Sequence, residues 1–393
     1  MAFVQGLFWK NLKHSNPRYH KKSCGHLTPL FNQTFLKNKP DFYFIFTGTG
    51  NFSLNEIPVV VNHLKNSKES VVDFFLYEPV SYYFKNQGYN LGYYSEFHSY
   101  LDCSNELRVA ELDSIEKLAV EINKPIRVFH GDYRLEKIVG DHYPDLQLKC
   151  LDIFLKNSTR NPYTIHKHDD KKINKKFWCG NGRYTVHRHL IMSYLLNKSG
   201  NYSWRFNIDK SFNLDNIDWV NYDLKNLVTQ TREELNSKDF NLEFYTKKLN
   251  VKGPRACLVP NVTYKSNLEY VKTIRECFCS IVTETRFAQP TGNFSEKTTD
   301  AINFGNPFIL VAPPRTLEYL KKLEFKTFDQ WWDESYDQEE NHSERMKKIF
   351  KVIDRINSLS LSQLNKMYQE MIPIIIHNKR AFRSFPYHGK ITQ

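Results

Sequence analysis

The sequence predicts an α/β fold in two lobes, each built on a parallel sheet. Three observations carry that expectation. Unbroken apolar runs recur along the chain, several ending in a glycine-bearing turn and followed by residues at helical spacing, the signature of strand–turn–helix units. At 393 residues the chain exceeds one ordinary core, and its 40% hydrophobic content can fill two. Between the two sets of runs, Lys156 to Lys176 is polar and charged, the composition of a connector. The expected division is a basic segment over residues 1–40, a first lobe over 41–156, a linker over 157–175, a second lobe over 176–340 and closing helices over 341–393.

Composition narrows the class. Charged residues at 25%, with only 16 Pro and 15 Gly, exclude extensive disorder. The net charge of +12 suits a polyanionic partner or a phosphate-bearing small molecule. It is spread along the chain, however, and AT-rich coding yields the same excess in a sequence this rich in Asn, Lys, Phe and Tyr. The cysteines, Cys24, Cys103, Cys150, Cys179, Cys257, Cys277 and Cys279, form no Cys-x-x-Cys pair, so neither a disulfide framework nor a zinc knuckle is expected. No apolar run approaches a membrane span, and the first residues lack the apolar core of a signal peptide, so a cytoplasmic setting is expected.

In the first lobe, Phe42 to Phe46 reads as a buried strand ending in Thr47-Gly48-Thr49-Gly50-Asn51, and Ser53 opens a helical stretch through His63. This is a Rossmann-like unit, although its turn falls short of G-x-G-x-x-G and implies no dinucleotide site. Strands follow at Val72 to Tyr77, ending in Glu78, and at Ile126 to His130, ending in Gly131-Asp132-Tyr133, with a helix over Leu107 to Ile122 between them. Ligands of parallel sheets gather at the carboxyl ends of the strands, which makes Glu78, His130 and Asp132 the titratable groups able to face a cleft. The plainer reading of each is a cap or a salt-bridge partner. The linker contains His166-Lys167-His168-Asp169-Asp170, which lacks a second ligand cluster and reads as solvated rather than metal-binding.

The second lobe opens with a strand from Lys176 into Gly180-Asn181-Gly182. Arg183, His187 and Arg188 follow, then a helix that buries Leu190, Ile191, Tyr194 and Leu195. Asn181, Arg183 and Arg188 would gather at that helix start, where guanidinium and backbone N–H groups can bind a diphosphate; a DNA-facing basic turn is the other reading. Tyr202 to Asn261 carries one expected helix, Val228 to Leu235.

A buried strand is expected over Cys277 to Thr285, with Glu284 at its carboxyl end positioned for a ligand's hydroxyls or for an ion pair with Arg286. Past Pro290 and Gly292, Ser295 suits the N-cap of a helix with Glu296 and Lys297 in its first turn. An anion there would meet backbone N–H groups and the Lys297 ammonium, while Glu296 can accept from both hydroxyls of a ribose; a plain surface cap is the alternative. Gly305-Asn306-Pro307 turns into a buried strand, Phe308 to Val311. A helix over Arg315 to Leu323 precedes an aromatic, acidic loop containing Trp331 and Trp332, whose rings suit stacking on a sugar or base, or packing between lobes. Glu344 to Leu359, Ser360 to Met371 and, after a break at Pro373, Ile374 to Phe385 are the expected closing helices.

The segment Ser295-Glu296-Lys297-Thr298 with Asp300-Ala301, then Gly305-Asn306-Pro307-Phe308-Ile309-Leu310-Val311-Ala312-Pro313-Pro314, resembles the donor site of glycosyltransferases with two Rossmann-like lobes facing across a cleft, the GT-B architecture. It is similar to the Thr-Glu-Lys segment of the α1,3-fucosyltransferases and closer to uncharacterised glycosyltransferase-like proteins of tailed phages. Two further elements resemble that phage family: Cys179-x-Asn181 with His187-Arg188, and Lys326-Thr327-Phe328 with Trp332-Asp333-Glu334-Ser335-Tyr336-Asp337.

The resemblance implies transfer of a hexosyl or pentosyl group from a nucleotide-sugar donor to an acceptor hydroxyl, with neither metal nor other cofactor. Asn181, Arg183, His187, Arg188, Ser295, Glu296, Lys297 and Thr298 would hold the donor, Glu296 on the ribose and Lys297 on the diphosphate. An inverting reaction needs a base for the acceptor's proton, and Asp132, Glu78 and Glu284 are the candidates. Modified phage DNA is one candidate acceptor, in the host cytoplasm if the protein is phage-encoded; a glycan or a protein fits the same donor site. Donor, stereochemistry and oligomeric state stay open. The rival expectation is a catalytically inactive nucleic-acid-binding or structural protein that retains the fold.

Overall fold

The computed structural model describes residues 43–46, 65–66, 72–76, 82–84, 107–150, 171–181, 186–196, 202–209, 255–257, 268–287, 292 and 294–384. In chain order the first elements are β1 (Tyr43–Phe46), β2 (Val72–Leu76), β3 (Tyr82–Phe84), β4 (Leu107–Val109), α1 (Ala110–Ile122), β5 (Ile126–His130), α2 (Leu135–Val139) and β6 (Leu146–Cys150). Then come β7 (Lys175–Asn181), α3 (Val186–Leu196), β8 (Tyr202–Asp209), β9 (Arg255–Cys257), α4 (Leu268–Arg275), β10 (Cys277–Thr283), α5 (Glu296–Phe304) and β11 (Phe308–Val311). Three helices close the described chain: α6 (Thr316–Lys322), α7 (His342–Ser358) and α8 (Leu361–Ser384).

The fold is mixed α/β with two parallel sheets. The first has the order β1-β2-β5-β6, all parallel. Val72, Phe74 and Leu76 alternate inward on β2, and Leu112, Ile115, Leu118 and Ile122 of α1 join the same buried cluster, as a period of two packed against a period of 3.6 requires. The helix expected from Leu107 starts later, because Leu107–Val109 pairs antiparallel with β3 before the chain coils at Ala110.

The second sheet has the order β11-β10-β7-β8-β9, parallel except for the edge strand β9. Every residue of β10 and β11 is buried, as in a sheet covered on both faces. The crossovers β7-α3-β8 and β10-α5-β11 leave in opposite directions, so right-handed connections set α3 and α5 on opposite faces. Packing agrees: Tyr194 of α3 stacks on Phe350 of α7 at 3.8 Å and donates to Asp354 at 2.6 Å, whereas α5 packs against α4 and α8.

Several sequence expectations change. Pro373 lies inside one continuous helix, α8, rather than between two. Its missing N–H costs one backbone bond. The buried residues Leu364, Tyr368 and Met371 before it and Ile375 and Phe382 after it hold both halves to the same core. Strand β7 runs on through Gly180 to Asn181 instead of turning at them, and β8 occupies a region for which no strand is expected from the sequence. Most of the aromatic loop is core: Phe325, Phe328, Trp332 and Tyr336 are each no more than 2% exposed, while Trp331 is partly buried against them. Its acids hold backbone. Asp337 accepts from Leu317 N–H and Glu318 N–H at 2.8 and 2.9 Å, capping α6, and Glu334 accepts from Phe328 N–H at 2.9 Å. The expected helices Ser53–His63 and Val228–Leu235, the His166–Asp170 cluster, Glu78 and Arg183 lie outside the described residues.

Candidate functional site

Strands β7 and β10 are neighbours whose crossovers diverge, so the carboxyl ends of this pair form a topological switch point, where open parallel sheets leave a crevice. The sequence sends its most chemically dense segments there. Asn181 ends β7, Thr283 ends β10, His187 and Arg188 lie in the first turn of α3, and Ser295 to Thr298 begin α5.

The inner layer is structural. Thr283 Oγ1 donates to Asn181 Oδ1 across the switch point, and Asn181 Nδ2 donates to Cys179 Sγ at 3.3 Å. His187 Nε2 lies 3.0 Å from the Glu284 carbonyl; a carbonyl only accepts, so that nitrogen carries the proton. Arg188 Nη2 donates to the carbonyls of Thr283 and Glu284 at 3.2 and 3.0 Å. These side chains are buried. They grip the end of β10, satisfying carbonyls that the strand no longer pairs.

Above that layer, Glu284 holds the start of α5. Its Oε1 accepts from Ser295 N–H at 3.0 Å and from Thr298 Oγ1, so a buried carboxylate stands at the positive end of the helix dipole. Ser295 is the N-cap, extended at φ −106° and ψ 179°, with its hydroxyl accepting from Lys297 N–H at 3.3 Å. Of this group, Ser295, Glu296 and Lys297 retain solvent access. Lys297 Nζ lies 3.0 Å from Glu296 Oε1 and 3.4 Å from Ser295 Oγ. A cation and a carboxylate therefore share one partly buried turn at the switch point. At the other end, Gly305 ends α5 at φ +73°, a left-handed cap that glycine adopts without strain.

Glu284 does not pair with Arg286. Arg286 reaches Asp132, beyond the end of β5, with Nη1 to Oδ2 at 3.2 Å and both side chains no more than 3% exposed. Other contacts follow the same path between the two sheets. Tyr133 N–H donates to the Gly292 carbonyl at 3.3 Å, and the Tyr133 hydroxyl lies 2.5 Å from Thr316 Oγ1. The Tyr133 ring stacks on Tyr319 at 4.8 Å and on Phe294 at 6.2 Å. Gly292 sits in tight space, since a Cβ there would stand 3.0 Å from Pro313 Cγ and the proline would have to shift to admit it. The carboxyl ends of the two sheets are thus in contact beside Ser295.

Glu136 is the functional candidate that the sequence does not single out. It lies in the first turn of α2, half-exposed, with Oε1 accepting from Cys150 N–H at 2.5 Å and 3.6 Å from Nε2 of buried His130. Burial opposes its ionisation, but the imidazole and the Cys150 N–H outweigh it and hold the carboxyl below its ordinary pKa. The signal is the pairing of His130 with Cys150 across β5 and β6, which register alone reveals.

No protein-family model matches the chain, and no curated protein matches it.

Proposed function

We propose that the chain is a two-lobed glycosyltransferase of the GT-B kind, binding a nucleotide-sugar over the first turn of α5. The observation that carries this reading is the coincidence of the switch point between β7 and β10 with the partly buried, solvent-reaching Glu296–Lys297 pair, the residues whose pattern resembles a donor site. Glu296 accepts from the ribose hydroxyls. Lys297 neutralises the diphosphate as it leaves, an interaction that grows with the charge developed in the transition state. Asn181, His187, Arg188, Glu284 and Thr298 position that turn from behind through the contacts described above, and Arg183 joins the diphosphate side by resemblance.

In the transfer, the bond between the anomeric carbon and the diphosphate oxygen breaks with its electrons on the diphosphate. The acceptor oxygen bonds to the carbon, and its proton passes to a base. Asp132 is held by Arg286 and Glu284 by the start of α5, which favours positioning roles for both. Glu136 is held too, by Cys150 N–H and His130, but unlike those two it is half-exposed at the carboxyl end of the first sheet, and that access suits it to take the proton. Modified DNA remains one candidate acceptor.

The test is release of nucleoside diphosphate from a panel of nucleotide-sugars with DNA, oligosaccharide or water as acceptor. Turnover is expected to fall at least about 100-fold in Glu136→Gln with donor binding retained. Lys297→Ala should lose binding and turnover together. Equal turnover in wild type and both variants would refute the assignment.

A further inference from the structure

The end of the second sheet opposite the crevice carries a different chemistry. Lys175 and Cys277 start β7 and β10 and pair with each other there. Around them stand Lys171, Lys272, Arg275, Lys379 and Arg383, brought from the segment before β7, the last turn of α4 and the second half of α8. Lys171 is buried, and its ammonium meets neutral groups among the described residues: Asn306 Oδ1 at 2.7 Å, the Gly305 carbonyl at 3.5 Å and the Tyr368 ring at 4.3 Å. Lys379, also buried, would stand 3.0 Å from a Cβ at Gly305. Arg275 and Arg383, both cations, act on Lys379; Lys171 faces the thiols of Cys277 and Cys279 and, more weakly, the cations Arg275 and Lys379. The carboxylate shown to be paired in this group is Glu276, 3.8 Å from Lys175 and 4.0 Å from Lys272.

Part of this is ordinary capping, because cations suit the carbonyl end of α5. One ammonium would serve that purpose. Two desolvated ammoniums beside the Arg383 guanidinium repel one another, and low-dielectric surroundings strengthen the repulsion. Lys272, Arg383 and, in part, Lys175 carry the positive field out to solvent. Such a concentration of one sign raises the local concentration of a polyanion, whose phosphates offset the repulsion.

We propose that this basic face, presented to solvent by Lys175, Lys272 and Arg383 over the buried ammoniums of Lys171 and Lys379 at the amino ends of β7 and β10, docks the phosphodiester backbone of a nucleic acid. Its recognition is electrostatic and independent of base sequence. The inference stands apart from the donor-site reading, since the face lies at the other end of the strands and needs no nucleotide-sugar.

The experiment is fluorescence anisotropy with labelled duplex and single-stranded DNA of about 20 nucleotides, titrated across roughly 50–300 mM salt. Two full-length triple variants of equal net charge are compared by the same assay. Lys175→Gln/Lys272→Gln/Arg383→Gln removes exposed cations of the face, and Lys321→Gln/Lys322→Gln/Lys347→Gln removes cations elsewhere. The face variant is expected to bind at least about tenfold more weakly and to lose about 0.9 of salt slope per phosphate contact removed, while the other variant stays within about twofold of wild type. Equal weakening of both variants would reduce the binding to net charge alone and overturn the proposal. Wild-type binding to phosphatidylserine vesicles, lost in the face variant, without DNA binding would overturn it in favour of a membrane surface.

Discussion

Replacing Arg286 with methionine removes the cation from a pair that ties the end of β10 to the end of β5. Both side chains are buried and their charged atoms lie 3.2 Å apart, so the substitution leaves the Asp132 carboxylate desolvated without its guanidinium. Breaking a buried pair from one side costs roughly 3–5 kcal/mol, much of it the penalty of stranding the other charge. At about 2–4 °C per kcal/mol for units of this size, the melting temperature should drop by roughly 6–20 °C. Asp132→Asn should fall by a similar amount. The double variant Asp132→Asn/Arg286→Met should recover about 2 kcal/mol relative to the sum of the single effects, because the two substitutions remove the same buried contact. Circular dichroism with thermal and urea unfolding reads all three. Single variants within about 1 kcal/mol of wild type, or strict additivity, would refute the structural role. Loss of turnover in Asp132→Asn with unchanged stability would return Asp132 to the role of base.

Three other predictions concern buried ionisable groups. Burial pushes the Glu334 carboxyl up to about 7, above its ordinary 4.5, so the folded state binds the extra proton and stability declines as pH rises through that window. Glu334→Gln keeps an acceptor for Phe328 N–H; its advantage over wild type should grow from pH 4.5 to a plateau above pH 7 of at most roughly 3 kcal/mol, and a pH-independent difference contradicts this. Lys379 shifts the other way: burial, then Arg275 and Arg383, bring it down from 10.5 to about 8, so its charge costs stability below pH 8 and the cost disappears as pH rises to 10.5. Urea unfolding of Lys379→Met should therefore show a gain at pH 7 that vanishes above pH 10.5, and a constant gain would exclude the mechanism. Glu284→Ala strands Ser295 N–H and the Thr298 hydroxyl and should cost about 2–5 kcal/mol, with faster amide exchange in the first turn of α5; unaltered exchange there would contradict the capping role.

The parts of the fold legible in the sequence are those with one dominant local signal. The apolar runs of β5, β10 and β11 and the Ser295 cap stand where composition and capping chemistry put them. What depends on distant partners is not legible. Tyr202–Asp209 becomes a strand because it adds to β7, and Pro373 stays helical because core lies on both sides of it. Spacing cannot tell which polar groups of the segments that meet at the switch point face solvent. His187 and Arg188 read as ligand-binding and instead hold β10 carbonyls, while Arg286 finds Asp132 some 154 residues away. Glu136 went unnoticed because its partners, His130 and Cys150, meet it only through the register of β5 and β6.

Isothermal titration of nucleoside diphosphates into wild type, Lys297→Ala and Glu296→Gln, with the matching nucleosides in parallel, tests the central claim most directly. The account predicts saturable binding of one diphosphate class to the wild type. It predicts loss of about tenfold or more in Lys297→Ala, from the absent charge-assisted contact, and weaker binding of both diphosphate and nucleoside in Glu296→Gln. Absence of any diphosphate binding by the wild type, or identical affinities in all three proteins, would contradict a donor site at the start of α5.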